Sequence, residues 1–97
     1  MKQLFLVLVV VFGFAGNALA FDCSDRVLRF PMSEITRKVQ VNPEAADTLE
    51  GIHLYWIAWE SYPEAIEVTQ AALACLESQG VMEQFRIANR VLWRRAR

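Results

Sequence analysis

The sequence predicts an all-α protein, a small helical bundle cross-linked by one disulfide and preceded by a signal peptide. Three observations lead to this prediction. Apolar residues recur at helical spacing in successive stretches, two cysteines lie far apart along the chain, and a short apolar run follows the initiator methionine. We therefore divide the chain into a signal peptide, residues 1–20, and a single helical domain, residues 21–97.

The first twenty residues have the three parts of a cleavable export signal. Lys2 is the basic start, the run from Leu4 to Phe14 is apolar, and Ala18 and Ala20 are the small residues that signal peptidases recognise. An apolar run of about a dozen residues is shorter than the ~20 that span a bilayer, so an uncleaved anchor is the lesser alternative. We expect cleavage after Ala20 and export to the periplasm.

The mature chain has two cysteines, Cys23 and Cys75. In an oxidising compartment an even number of cysteines without metal-type spacing favours a disulfide, and two cysteines allow one connectivity. Closing a loop of about fifty residues removes unfolded-chain entropy worth roughly 4 kcal/mol, a large share of the stability of a small domain. The alternative is a pair of free thiols.

Residues 21–41 carry the weakest helix signals in the mature chain. Asp22 or Ser24 can cap a short helix that Pro31 interrupts, and a further helical turn can follow as far as Lys38. The sequence contains no hairpin turn signal and no convincing alternation of polar and apolar residues in this segment. We expect short helical pieces here.

The most buried helix is expected to begin at Asn42. Asn42 is a suitable cap, Pro43 fits the first helical position, and Glu44 faces the positive end of the helix dipole. One face of this helix would then carry apolar residues at intervals of three and four. These residues are Ala45, Leu49, Ile52, Trp56 and Trp59.

The next helix is expected between Ser61 and about Gln79. Ser61 and Glu64 have the spacing of a capping box, and Gly80 is placed for a left-handed C-cap. The inward face would carry four residues, with Cys75 on the core side. They are Ala65, Val68, Ala72 and Cys75.

A last helix is expected to start near Val81. Val81, Phe85, Ala88 and Leu92 would lie on one face, and the arginines on the other, where those of the last turn interact favourably with the dipole. Arginines at four-residue spacing could also form a stripe that binds nucleic acid or anionic lipid. A solvated face that pairs with the acidic helices is the favoured interpretation, so we expect no nucleic-acid partner and no membrane binding.

Charge divides the mature chain into an acidic middle and a basic tail. Residues 42–84 contain eight acidic side chains and no lysine or arginine, whereas residues 85–97 contain five arginines and no acid. Protonation of the carboxylates in acid would end the pairing between the two regions and increase self-repulsion. We expect the pH-responsive carboxylates to be Glu44, Asp47, Glu50, Glu64, Glu67 and Glu77.

The sequence offers little for catalysis, so we expect no enzyme, no catalytic residue, no metal site and no cofactor. His53 is the only histidine, and we find no nucleophile elbow, phosphate loop or paired metal-binding motif. Glu50 lies one turn before His53 and could influence its charge. The favoured alternative is a surface or rim histidine without a special role.

The layout resembles periplasmic acid-stress chaperones of the HdeA and HdeB type. The resemblance rests on the signal peptide, on Asp22 to Asp25 near the mature start, and on the tryptophan-bearing segment Tyr55 to Trp59. It also rests on the second cysteine in Ala71 to Cys75 and on a basic C-terminal segment with Phe85 and Trp93. Arginine replaces the lysine that is usual at the C-terminus of those proteins.

This resemblance implies a disulfide-bonded helical protein that is dimeric near neutral pH, opens in acid and holds unfolding periplasmic clients. The expected client-binding residues are Leu49, Ile52, Trp56, Ile57 and Trp59. So many aromatic residues are hard to bury in a domain of this size, which also favours a protein partner. The alternative function is a constitutive periplasmic binding or inhibitor module of the immunity type, with one specific protein partner.

Overall fold

A computed structural model, which describes residues 21–97, shows a mixed α/β fold. The all-α prediction is therefore wrong. The predicted signal peptide, residues 1–20, lies outside the described residues. The elements in chain order are a 3-10 turn (Arg26–Leu28), α1 (Arg29–Val41), β1 (Ala46–Asp47), α2 (Leu49–Gly51) with a π-helical continuation (Ile52–Trp56), α3 (Ile66–Ser78), β2 (Met82–Ile87) and β3 (Arg90–Arg95). In the described range, no helix is long and apolar enough to cross a membrane.

Helix α1 is longer than the sequence predicts. Asp25 caps the preceding 3-10 turn by accepting a hydrogen bond from the Val27 N–H at 3.1 Å. Pro31 does not interrupt the helix, because it lies in the first turn. The backbone N–H groups of a first turn have no carbonyl partner within the helix, so a proline there removes no helical hydrogen bond. The buried face of α1 consists of Pro31, Glu34, Ile35 and Val39.

The middle helix begins six residues later than predicted. Asn42 and Pro43 start a turn, closed by a hydrogen bond from the Ala45 N–H to the Asn42 carbonyl at 3.0 Å. The cap of α2 is Thr48, whose Oγ1 accepts a hydrogen bond from the Gly51 N–H at 3.1 Å. Gly51 lies against the Asp47 side chain, which a Cβ at this position would overlap. Helical structure then ends at Trp56, so Trp59 lies outside the helix.

Helix α3 ends as predicted but begins later. Ser61 caps no helix, and the extended residue Ala65 precedes the first helical residue, Ile66. At the other end Gly80 has a φ of 77°, and its N–H donates to the Glu77 carbonyl at 3.0 Å. The Val81 N–H donates to the Leu76 carbonyl at 2.8 Å, which completes a Schellman motif. Val68, Ala72 and Cys75 are buried as expected, whereas Ala65 is exposed.

The predicted last helix is a β-hairpin. Strands β2 and β3 are antiparallel and joined by the two residues Ala88 and Asn89, and β1 pairs with the other side of β3. Residues that pair across the strands share a face, so Met82 and Trp93 point to the core while Phe85, Ile87 and Leu92 point away. Aromatic and β-branched residues favour this strand structure over the helix that the spacing suggested.

The core lies between α1, α3, the π-helical segment and the inner face of the hairpin. Its buried side chains include Leu28, Ile35, Val39, Ile52, Leu73, Leu76, Met82 and Trp93. The predicted disulfide between Cys23 and Cys75 is present, with a Cα–Cα distance of 5.6 Å. It connects the N-terminal segment to the last turn of α3, across 52 residues of chain.

Replacement of both Cys23 and Cys75 by alanine should lower the free energy of unfolding by about 4 kcal/mol, because the open chain gains conformational entropy when it unfolds. Urea denaturation of the oxidised parent and of the double variant measures this difference. The reduced parent serves as a second form without the cross-link. A loss below about 1 kcal/mol in both would contradict the entropic role of the cross-link.

Replacement of Ala88 by glycine should raise the free energy of unfolding by about 0.5–1 kcal/mol. Ala88 has a φ of 56°, which costs an L-residue more than it costs glycine, although glycine loses more entropy on folding. Thermal denaturation of the Ala88→Gly variant provides the measurement. Gly80→Ala is the matched opposite change, at a φ of 77°, and should be destabilising.

Candidate functional site

Trp59 is held in a fixed orientation within the irregular segment 57–65, which links the π-helical segment to α3. Its indole Nε1 donates a hydrogen bond to the His53 carbonyl at 2.7 Å. The ring centroid lies 5.4 Å from the His53 imidazole and 6.0 Å from the Phe30 ring, both in tilted arrangements. Three contacts therefore place this indole, although no helix or strand contains it.

Glu34 connects α1 to the same segment. Its Oε1 accepts a hydrogen bond from the Ala58 N–H at 3.0 Å, and its Oε2 accepts one from Arg37 Nη2 at 2.8 Å. The residue is only 8 % exposed. The Arg37 hydrogen bond, followed by the Ala58 N–H, lowers the pKa of the Glu34 carboxyl below its ordinary value near 4.5, and burial opposes this effect. The ionised carboxylate thus holds Ala58, and with it Trp59, against α1.

His53 connects the π-helical segment to α3. Its Nδ1 and the Thr69 Oγ1 share a hydrogen bond of 2.6 Å, and both side chains are buried. The interpretation of His53 as a surface or rim residue is wrong, because the ring packs between Thr69 and Trp59 and is 6 % exposed. Glu50, the residue that could have influenced the charge of His53, is exposed.

A shallow groove of about 680 Å³ opens beside Trp59, between α1 and segment 57–65. Three aromatic rings line it, and two of them face solvent: Phe30 is 40 % exposed and Tyr62 is 84 % exposed. The remaining lining residues are Arg26, Val27, Pro31, Glu60, Ser61, Pro63 and Glu64. The site is thus an aromatic surface with prolines and with charges of both signs.

The predicted client-binding residues form part of the core or its edge. Ile52 and Ile57 are buried, and Leu49, Trp56 and Trp59 are half-buried against the core. Trp56 also lies under Lys38, whose Nζ is 5.8 Å from the ring centroid. The structure therefore brings these residues together, but it does not leave them open to a client.

The predicted pH-responsive carboxylates are dispersed over the surface. Asp47 is half-buried and accepts a hydrogen bond from the Thr48 N–H at 2.8 Å, and the five others are exposed. They are Glu44, Glu50, Glu64, Glu67 and Glu77. The carboxyls with lowered pKa are instead Glu34 and Glu83, and a hydrogen bond from Arg94 is the main cause at Glu83. That Glu83–Arg94 pair is one of two ion pairs in residues 21–97, with Glu34–Arg37.

The arginine stripe proposed for nucleic acid or lipid does not form. Strand pairing places Arg90 and Arg94 on the outer face of the hairpin and Arg86 on the opposite face. Arg94 also lies over the Phe85 ring, 4.2 Å from its centroid.

Within the described part of the chain, no three histidine, cysteine or acidic side chains lie close enough together to hold a metal ion.

Glu34 and Thr69 are two buried polar residues of the site that the sequence analysis missed. Glu34 is flanked by Pro31 and Ile35 on one helical face, and Arg37 follows at a spacing that allows an ion pair on the same helix. That pattern is a usable signal for a partly buried, paired carboxylate. Thr69 follows the core residue Val68 in α3, but its pairing with His53 spans sixteen residues and has no local signal.

Comparison with known proteins identifies no relative: no protein-family model, no curated protein and no solved structure matches the chain. The functional interpretation therefore depends on the geometry of the residues themselves.

Replacement of Thr69 by valine should lower the free energy of unfolding by about 1–3 kcal/mol, because the buried His53 ring loses its hydrogen-bond partner. Urea denaturation at neutral pH measures the loss. Thr36→Val, at a half-buried position on α1, is the control for exchanging a hydroxyl for a methyl group. Equal effects of the two substitutions would show that the His53–Thr69 contact has no special importance.

Proposed function

We propose that this chain is an exported periplasmic protein that opens in acid and holds unfolding client proteins on the apolar surface it then exposes. The observation that carries the proposal is the hydrogen bond from the Ala58 N–H to the Glu34 carboxylate, which joins α1 to the tryptophan-bearing segment. An ionisable side chain is thus part of the contact that keeps this segment closed.

The direction of the pH effect follows from the lowered pKa of Glu34. A carboxyl with a lowered pKa in the folded state contributes stability that is fully present above its ordinary value, near 4.5. This contribution is lost as the pH falls through the lower, folded value. Arg37 is the one charged side chain among the described residues that contributes to the shift, so protonation removes both the ion pair and the stronger acceptor for Ala58.

The surface released by this opening would be strongly apolar. Ile57 and Ala58 are adjacent in the chain, with Trp56 before them and Trp59 after them. Trp56, Ile57 and Trp59 pack on or against the core in the closed state, so their release exposes large side chains that other unfolding proteins can contact. The disulfide would persist in acid and keep the opened chain compact.

The overall charge supports opening in the same direction. Eleven acidic side chains follow residue 20, against nine lysines and arginines. In strong acid the carboxylates are neutral while the lysines and arginines stay positive, so the protein acquires a large net positive charge. Self-repulsion then favours expanded states and keeps complexes with clients soluble.

A second candidate function is a constitutive binding module with one protein partner. The aromatic groove favours it, because the groove already exists in the closed structure and presents Phe30 and Tyr62 to solvent. This function requires no opening and predicts the same fold at all pH values.

The Glu34→Gln variant tests the acid mechanism. It retains an oxygen that can accept from Ala58 but lacks the charge, so its unfolding free energy at pH 7 should be about 1–2 kcal/mol lower than that of the parent. This difference should shrink as the pH falls below about 4.5, because the parent carboxylate becomes neutral as well. Urea denaturation at several pH values provides the measurement, and Glu67→Gln on the exposed side of α3 is the control.

Binding of an apolar dye and protection of an aggregating client between pH 7 and pH 2 complete this test. The parent should bind dye and protect the client only in acid, and Glu34→Gln should do so at a higher pH. A parent protein that exposes no apolar surface in acid, or that protects no client, would refute the proposed function.

A further inference from the structure

The aromatic groove, defined by Phe30, Trp59 and Tyr62, is a concave surface that is present in the closed protein. An aromatic side chain as exposed as Tyr62, beside a partly exposed Phe30 on a concave surface, is typical of a binding site. The other strongly exposed tyrosine, Tyr55, does not line this groove. Exposure alone therefore does not distinguish the groove, but the grouping of rings does.

Trp59 and the two prolines of the groove are restrained before any ligand binds. Trp59 is oriented by its hydrogen bond to the His53 carbonyl and by the Phe30 ring. Pro31 lies in the first turn of α1, and Pro63 has a restricted backbone. A ligand would therefore bind without ordering this part of the groove, which reduces the entropic cost of association.

The hydrogen-bonding groups of the groove restrict the ligand. The Trp59 N–H already donates to His53, so the indole offers an apolar wall and a π face. The exposed Tyr62 hydroxyl is able to donate to a ligand carbonyl. A proline-rich segment in extended conformation matches the aromatic part of this surface, because its carbonyl groups can accept from the Tyr62 hydroxyl while its rings pack on the aromatic walls.

The charges of the groove add a further requirement. Glu60 and Glu64 line it on the segment 57–65, and Arg26 is the single basic group in the lining. The net charge of the lining is thus negative, and aromatic faces also attract cations. A lysine or arginine in the ligand would satisfy both features.

We propose that the groove of Phe30, Trp59 and Tyr62 binds an extended, proline-rich segment of a partner protein that carries a basic residue. The site is complete in the closed structure and operates at neutral pH, so it is independent of opening in acid. It specifies the partner chemistry of the second candidate function and rests on that function alone.

The test uses isothermal titration of the oxidised mature protein at pH 7 with a synthetic hexaproline peptide that ends in arginine. We expect measurable binding, and we expect weaker binding of the same peptide ending in glutamate or with alanine in place of proline. Tyr62→Ala should weaken binding about tenfold or more, which corresponds to the loss of one aromatic contact. Tyr55→Ala, at an 81 % exposed tyrosine outside the groove, should change it less than about twofold.

Replacement of both Glu60 and Glu64 by glutamine should weaken binding of the peptide that ends in arginine. It should not change the binding of a hexaproline peptide that ends in alanine. Added salt should have the same selective effect. Absence of binding at millimolar peptide, or equal losses for Tyr62→Ala and Tyr55→Ala, would overturn the proposal. So would a sedimentation result in which the groove joins two copies of this chain, in a dimer that Tyr62→Ala dissociates. Dye binding in acid is a separate measurement, so its outcome does not decide whether the groove binds the peptide.

Discussion

The fold depends on the covalent connection between Cys23 and Cys75. The segment before α1 attaches to the core through the buried Leu28 and the partly buried Phe21 and Val27, and the disulfide joins it to α3 directly. Because α1 follows this segment immediately, the same connection restrains the first helix against the third. A domain of this size buries little surface relative to its entropy cost, so a restraint on the unfolded chain has a large effect on its stability.

A second constraint lies in the irregular segment 57–65, which is held by hydrogen bonds that involve side chains and not by helix or strand hydrogen bonds. Glu34 binds the Ala58 N–H, and the indole of Trp59 is joined to the His53 carbonyl. His53 in turn contacts Thr69 on α3, so the segment is connected to both long helices. The aromatic groove has a defined shape because these polar contacts fix its backbone, and the apolar residues beneath it remain covered for the same reason.

The sequence predicts some of these features well and others poorly. The pairing of the cysteines and the end of α3 at Gly80 were correct, because the first has one solution and the second depends on a local glycine. The hairpin was mistaken for a helix because Val81, Phe85, Ala88 and Leu92 are apolar at helical intervals, and the turn at Ala88 lacks the glycine that usually marks it. Of the site, Trp59 was predicted as a functional residue, but its contacts with Phe30 and with Glu34 through Ala58 join distant parts of the chain. Such long-range contacts leave no periodic signal.

The strand order β1–β3–β2 leaves β2 at the edge of the sheet, where one row of its backbone donors and acceptors has no partner strand. Other chains can add strands to an exposed edge of this kind, and repeated addition builds fibrils. Here the six residues of β2 include Arg86, and Arg90 begins the adjoining strand. Both are charged side chains of the kind that discourages pairing at a sheet edge. Two copies that meet edge to edge along β2 would therefore bring like charges together, which disfavours their polymerisation.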